Sequence, residues 1–245
     1  MRDRFRALLL HLLLSASLIT AVLTAIYCVW YPSPIASAAG LSDLVVVVVV
    51  VDIVLGPLLT FVVFNRAKKS LRLDLACIAT LQLAVLAYGV YTIGVARPAW
   101  IVFNADRFDL VLAHELEARF TGKAAAEYRA ASWTGPRWVA SVNPIDAEER
   151  NSLIFESATG GADLPQRPDL YVPIESQRES LKRHAKQLDE LKQFNPAGAV
   201  ARLRQDWPSA DGWLPLMARA RPMIVLIRRS DAKVLGIVAL MPWSP

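Results

Sequence analysis

A carboxylate within an apolar run is the side chain of this sequence with the clearest chemical consequence. Asp52 lies in an otherwise uncharged stretch, residues 44–64, that contains seven consecutive valines. A charge near the centre of a bilayer costs at least about 2.5 kcal/mol, so it should be neutralised or face a polar partner. Gly56 and Thr60 follow at i+4 and i+8 and share one helical face with Asp52. This small and polar stripe would let another helix approach closely.

Three interpretations of the stripe are open. In the first, Asp52 bonds to a neighbouring span of the same chain, with Gln82 or Ser15 as its partner. In the second, the stripe receives the transmembrane helix of a client protein. In the third, Asp52 belongs to a proton relay, which would need further ionisable groups at this depth, and His11 is the one other candidate in the sequence.

A proline lies beside the stripe. Pro57 has no N–H and would leave the Ile53 carbonyl without its helical donor, so a kink is predicted there. The predicted set of intramembrane helix-contact residues is Asp52, Gly56, Pro57, Thr60 and Gln82.

No catalytic constellation accompanies these residues. Residues 97–245 hold two histidines, His114 and His184, and no cysteine. The sequence has no Gly-x-Ser-x-Gly elbow, Gly-rich phosphate loop or His-Glu-x-x-His motif. His114, Glu115 and Glu117 have the chemistry of metal ligands, but such a trio on one amphipathic stretch is more typical of a solvated face. We therefore expect no enzymatic activity, no cofactor and no metal.

The elements that must position Asp52 are three apolar runs, residues 7–30, 44–64 and 75–95. The first run, with 24 residues, would be about 36 Å long as a helix and could cross a hydrocarbon core of about 30 Å. A cleaved signal peptide is the alternative, but its apolar core usually has about 7 to 15 residues, so retention is expected. We predict a transmembrane region over residues 1–96 and a second domain over residues 97–245.

Basic residues predict the orientation of these spans. Three precede the first run and four lie between the second and third, whereas none lies between the first and second: Arg2, Arg4, Arg6, Arg66, Lys68, Lys69 and Arg72. The positive-inside rule then places the N-terminus in the cytoplasm and residues 97–245 on the far side. That domain has 20 basic and 18 acidic residues and is nearly neutral, so nucleic-acid binding is not expected.

The second domain is predicted to be α+β with four or five strands. Expected strands cover residues 100–104, 109–113, 136–142, 223–227 and 234–240, the last two as a hairpin. Helices are expected at residues 146–156, 199–205 and, most clearly, 176–194. In that longest helix Leu181, Ala185, Leu188 and Leu191 form a stripe that we expect to face the core. The fold class is thus three transmembrane helices followed by an α+β periplasmic domain.

Several short motifs follow one another along the chain in an order that identifies a family. The second span carries the segment from Asp52 to Thr60, a basic turn with Lys68-Lys69-Ser70-Leu71 follows, and Asp106-Arg107-Phe108 begins the second domain. Together with the C-terminal Gly236-Ile237-Val238-Ala239-Leu240, they make the chain similar to the type IV pilin accessory protein family. The resemblance implies a multi-pass protein of the bacterial inner membrane that assists stability or assembly of the major pilin without catalysing a reaction.

The expected partners are therefore the lipid bilayer and the major type IV pilin, with the oligomeric state left open. A membrane-tethered periplasmic ligand-binding or sensor module is the main alternative, and it would need a polar-lined pocket after residue 97. A membrane enzyme acting on a lipid-linked substrate is a second alternative. Its acidic and histidine side chains near the outer interface would be Asp106, Asp109, His114 and Glu115.

Overall fold

The computed structural model describes residues 1–244 of the chain. Its first part contains three helices that are long and apolar enough to cross a membrane: Arg2–Trp30, Leu41–Val63 and Leu71–Val95. We call them the first, second and third spanning helices. The second is central, because both of the others pack mainly against it. A small apolar cluster at the contact of all three contains Ile19, Val48 and Leu86, one residue from each helix.

Two of the spanning helices contain a wider, π-helical turn. In the first helix this turn covers Ile26–Trp30, at the end of the span. In the second helix it covers Val50–Leu55 and follows Leu41–Val49, which is α-helical, while Gly56–Val63 returns to α-helix. The widened turn of the second helix therefore surrounds Asp52.

The chain divides into two compact units, each made of two separate segments of the sequence. One unit consists of Met1–Trp30 and Gly40–Ala96, and the other of Tyr31–Ala39 and Arg97–Pro245. The segment Tyr31–Ala39, which connects the first two spanning helices, thus folds with the second domain. The main-chain oxygen of Ala38 accepts hydrogen bonds from the amides of Ala220 (3.0 Å) and Arg221 (3.3 Å). Ile35 and Ala38 are buried in that domain's core.

The second domain is built on one mixed sheet of seven strands. The strands are β1 (Pro98–Asn104), β2 (Arg107–Leu112), β3 (Arg137–Ser141), β4 (Tyr171–Val172), β5 (Gly212–Met217), β6 (Met223–Arg228) and β7 (Lys233–Val238). Their order is β4-β3-β1-β2-β5-β6-β7. Strand β1 pairs parallel with β3, β2 pairs parallel with β5, and the other four neighbours are antiparallel.

The sheet is buried on both faces, as alternation along β1 makes clear. Trp100 and Val102 join a cluster on one face with Tyr128 and Tyr171. Ile101 and Phe103 point to the opposite face and belong to a larger cluster with residues of β2, β5 and β6. A domain with a core on both faces of its sheet needs covering elements on both sides.

Short helices and turns supply that cover. The α-helices are Ile35–Ala39, Ala118–Thr121, Ala147–Ala158, Arg178–His184 and Ala199–Asp206, and the 3₁₀ turns are Ala113–Glu115, Leu164–Gln166, Pro168–Leu170, Ile174–Gln177 and Leu188–Gln193. Three membrane-spanning helices and an α+β domain were the predicted fold class, and the structure has both. The C-terminal hairpin of β6 and β7 is also confirmed.

The long helix predicted over residues 176–194 is wrong. Its α-helical part ends at His184, and the amide and oxygen of Lys186 then pair with the oxygen (2.9 Å) and amide (3.0 Å) of Trp213. This bridge to the sheet interrupts the helix because it takes main-chain groups that a helix would use. The predicted burial of the stripe is confirmed, but Leu181 and Leu188 lie in different clusters.

The number of strands was also underestimated. Strand β5 contains Pro215, and an interior proline argues against a central strand. Strand β4 has only two residues, Tyr171 and Val172, too few for alternation to be recognised.

Candidate functional site

Two buried polar residues, Asp52 and Gln82, lie near the middle of their spanning helices, and a third, Thr60, lies three residues before the end of the second. Asp52 has eleven residues on either side of it in Leu41–Val63, so it stands at the midpoint of its helix, about 16 Å from each end. Gln82 is one residue from the midpoint of Leu71–Val95. Asp52 and Thr60 are each 4% exposed and Gln82 is 7% exposed. At the depth of Asp52 and Gln82 neither water nor lipid headgroups are available, so these two side chains need partners within the protein.

A continuous chain of hydrogen bonds connects them across all three helices. The ring of His11 lies between Thr60 and Gln82: Nδ1 is 2.6 Å from Oγ1 of Thr60, and Nε2 is 2.8 Å from Oε1 of Gln82. Since a carbonyl oxygen only accepts, Nε2 donates to Gln82, and in the tautomer that carries its hydrogen on Nε2 alone, Nδ1 accepts from the Thr60 hydroxyl. The amide nitrogen of Gln82 donates to Asp52, to the main-chain oxygen at 3.2 Å and to Oδ1 at 3.4 Å.

The widened turn and Pro57 together explain why a side chain is needed at the Asp52 carbonyl. In an α-helix that oxygen would accept from the amide of Gly56, but Gly56 donates to Val51 instead, five residues back. The residue five positions after Asp52 is Pro57, which has no N–H. No main-chain donor of this turn is therefore left for the Asp52 oxygen, and Gln82 supplies one. The sequence predicted a freed carbonyl one residue later, at Ile53.

Gly56 is required by the close approach of Gln82. A Cβ atom built on Gly56 would lie 1.9 Å from Nε2 and 2.7 Å from Oε1 of Gln82, well inside contact distance. The amide of Gln82 thus occupies the space in which any other residue would have a side chain. The segment from Asp52 to Thr60 is one physical unit, in which each polar, small or proline residue has a defined task.

One atom of this unit has no partner. Oδ2 of Asp52 is buried and makes no hydrogen bond within the described part of the chain, residues 1–244. Asp52 lines a cavity of about 410 Å³ together with side chains of the first and third spanning helices. His11, Thr60 and Gln82 line the same cavity, and the remaining lining residues are apolar apart from Ser15. Asp52 thus carries, beside this cavity, a carboxyl oxygen for which the described part of the chain provides no donor.

The structure thus places the predicted contact residues together, against the chain's own helices. Asp52, Gly56, Pro57 and Thr60 are all buried in the second helix. Gln82 of the third helix contacts Asp52 and Gly56, and it reaches Thr60 only through His11. Ser15, the other candidate partner, lines the cavity. The sequence indicates His11 only as a candidate for a proton relay and not as a partner of Thr60. The two residues are 49 positions apart, so no sequence pattern connects them. Contact with a client helix stays a prediction.

The second domain has a polar cavity of its own, of about 440 Å³. Its charged lining residues are Asp109, Glu115, Asp163 and Arg219. Burial raises the pKa of Asp109, and the neighbouring charge of Asp163 adds to the rise, while the Arg107 guanidinium 3.3 Å away lowers it. Within residues 1–244 no group of three or more His, Cys, Asp or Glu side chains is arranged to hold a metal ion.

Sequence comparisons identify relatives of this chain. It is similar to two proteins of Dichelobacter nodosus, "Fimbrial assembly protein, serogroup I" and "Fimbrial assembly protein, serogroup E1". Each is 33% identical over 181 residues, which cover 73% of this chain and 70% of the relative. The fimbrial assembly protein of serogroups C1 and C2 is 36% identical over 99 residues, 40% of this chain and 76% of that protein. No protein-family model and no solved structure matches the chain.

Proposed function

Because this chain belongs to the family of fimbrial assembly proteins, we propose that it is an inner-membrane accessory protein that assists type IV pilin by direct, non-catalytic contact. Its role in fimbrial assembly follows from the family. The proposal adds that the client is type IV pilin, that the membrane is the inner membrane and that the chain acts by binding. By binding pilin, the chain keeps it in a form that can be assembled.

The observation that carries this proposal is that the segment between the first two spanning helices folds together with the second domain. Tyr31–Ala39 folds into the second domain, so that segment and Arg97–Pro245 must lie on the same side of the bilayer. The basic residues before the first and between the second and third spanning helices favour the cytoplasm for the other side. The second domain would then face the periplasm, where the folded part of a pilin waits.

Such an arrangement gives the protein two surfaces for one client. The spanning helices can contact the hydrophobic helix of pilin within the bilayer, and the outer domain can contact its folded head. When one contact has formed, the second becomes intramolecular and gains from a high effective concentration. Two weak contacts on one anchored molecule can therefore hold a client firmly without any chemical step.

Photocrosslinking in living cells tests the proposal. A photoreactive amino acid is placed in the full-length chain at exposed sites of the outer domain, such as Ile145 and Phe155, and at exposed sites of the spans. Adducts are detected with an antibody against the pilin of the same strain. We expect pilin adducts from both regions, and fewer surface fimbriae when the chain is deleted. Normal fimbriae in the deletion strain together with no adduct from any site would reject the proposal.

The membrane-tethered ligand-binding or sensor module is the second candidate, and the polar cavity beside Asp109 and Arg219 is the observation that favours it. Three carboxylates and a guanidinium could bind a small polar molecule there. A strain that lacks pilin distinguishes the two candidates. If loss of the chain still changes growth or gene expression in that strain, and Arg219→Ala reproduces the change, the sensor interpretation is favoured over the accessory one.

A further inference from the structure

The cavity next to Asp52 is a groove between the first and third spanning helices, with the second helix as its floor. Its apolar walls include Leu10, Leu14 and Leu18 of the first helix and Leu83 of the third. These four leucines are between 44% and 63% exposed, so the groove opens to the surroundings of the bundle. In a bilayer those surroundings are lipid or another membrane-embedded protein.

The floor of the groove differs from its walls, because it is polar and incompletely bonded. Oδ1 of Asp52 accepts from Gln82, whereas Oδ2 has no partner within residues 1–244 although Asp52 is 96% buried. An unpaired carboxyl oxygen in a low-dielectric environment is costly, and a hydrogen-bond donor that reaches it removes that cost. An occupant that fits both parts of the groove must combine an apolar body with one hydrogen-bond donor.

We propose that this groove receives the membrane helix of the fimbrial subunit, and that a hydroxyl, amide or amine of that helix donates to Oδ2 of Asp52. The inference rests on the proposed function and names the site of the intramembrane contact. A lipid acyl chain could fill the apolar part, but it has no donor for the carboxyl oxygen. The groove accepts a ridge of side chains and not a whole helix, because a helix with side chains is about 10 Å across and the cavity holds about 410 Å³.

Most of the polar stripe of the second helix is already occupied by side chains of the other two helices. The stripe that would otherwise meet a client directly, at Gly56 and Thr60, is already filled by Gln82 and His11. Those contacts fix the Asp52 side chain through Oδ1 and leave Oδ2 for the partner. Because Oδ2 is itself shielded in the free chain, the Asp52 carboxyl has to turn toward the groove before the donor can reach it.

Paired substitutions in the full-length chain test the groove. Leu14→Trp and Leu83→Trp fill it without replacing a polar residue, and Leu13→Trp and Leu81→Trp are their matched controls. Leu13 and Leu81 are 66% and 59% exposed but do not line the cavity. Asp52→Asn is a third variant, because its amide places a donor where Oδ2 was while Oδ1 can still accept from Gln82.

The readout is the yield of the adduct between the chain, photoreactive at position 10 or 18, and the fimbrial subunit of the same strain. We expect both groove tryptophans to reduce the yield about tenfold, Asp52→Asn to reduce it roughly three- to tenfold, and the two controls to leave it unchanged. Equal yields in the groove and control variants would overturn the inference. So would adducts from these positions that contain only lipid or a second copy of the chain.

The two levels of the proposal fail in different ways. If positions 10 and 18 give no pilin adduct but positions 145 and 155 do, the groove inference is wrong and the accessory function stands. If neither region gives an adduct and fimbriae are normal without the chain, both are wrong. Membrane levels of each variant are measured in parallel, and the tryptophan variants keep the comparison decisive should Asp52→Asn not accumulate.

Discussion

The side-chain amide of Gln82 donates to the main-chain oxygen of Asp52 across 3.2 Å, at the middle of the membrane. This bond replaces a helical one, because the widened turn directs the Gly56 amide to Val51 and Pro57 has no amide hydrogen to offer. A glutamine thirty residues away therefore supplies the hydrogen bond that the main chain of the second spanning helix lacks at Asp52. The bond and the carboxyl contact beside it connect stability of the helix bundle to the geometry of the candidate site.

The first prediction concerns this replacement. Gln82→Leu leaves the Asp52 oxygen unpaired and should lower the free energy of unfolding in detergent by about 1–2 kcal/mol. Pro57→Ala restores an N–H five residues after Asp52, where the widened turn can use it. In that background Gln82→Leu should therefore cost less, with a coupling of about 0.5–1.5 kcal/mol in a double-mutant cycle. Additive effects of the two substitutions would contradict the compensation.

The second prediction concerns the space at Gly56. Gly56→Ala puts a methyl group 1.9 Å from Nε2 of Gln82, and the buried amide has to move. We expect a loss of about 1–3 kcal/mol, typical of overpacking, measured by thermal unfolding in detergent. Combining it with Gln82→Ala makes room for the methyl group, so the glycine substitution should then cost much less. A cost that is the same in both backgrounds would show that Gln82 is not the obstacle.

The third prediction compares a buried and an exposed ion pair of the outer domain. The Arg167 side chain is 6% exposed and lies 2.7 Å from Asp169 and 3.1 Å from Glu149, stacked over Phe120. Arg167→Ala leaves a buried carboxylate uncompensated and should destabilise the domain by about 3–5 kcal/mol. Arg228→Ala is the control.

Arg228 pairs with Asp231 on the surface, where solvent screens the interaction, so its loss should change stability little. Both variants are measured by urea unfolding of the full-length chain, followed by tryptophan fluorescence. Comparable losses for the two substitutions would contradict the difference in burial that the structure assigns to them.

The fourth prediction concerns pH. Burial raises the pKa of Asp109 above the usual carboxyl value of about 3.9, despite the nearby Arg107. A raised pKa in the folded state means that the stabilising contribution is full below the unfolded value and is lost as the pH rises through the folded one. Unfolding free energies of the full-length chain and of its Asp109→Asn variant are compared by urea unfolding between pH 3.5 and 7. The difference, wild type minus variant, should fall as the pH rises.

A difference that rises with pH over that range would mean that the Arg107 pair outweighs burial at Asp109. Asp231→Asn provides the opposite control. The Arg228 guanidinium lowers the pKa of Asp231 to about 2, so its stabilising contribution is present above the ordinary carboxyl value and is lost only as the pH falls through about 2. Its difference should therefore not fall between pH 4 and 7.

Much of the architecture could be predicted because it depends on composition and periodicity. Runs of more than twenty apolar residues have few stable arrangements other than a spanning helix, so the three helices followed directly. Alternating apolar residues around Ser230 and Asp231 gave the hairpin of β6 and β7. The prediction of one helix over residues 176–194 is wrong although the apolar residues do recur with helical periodicity. The helix is interrupted because the main chain of Lys186 pairs with that of Trp213.

The sequence by itself determined that Asp52 needs a polar partner, since an isolated carboxylate cannot be tolerated in the apolar middle of a span. Only the tertiary structure decided how that need is met: through Gln82 and His11, across a widened turn, with one carboxyl oxygen left without a donor in the described part of the chain. It also decided that Tyr31–Ala39 joins the outer domain. Hydropathy is a property of each segment alone, whereas hydrogen bonds between residues far apart in sequence depend on how the helices are rotated and paired.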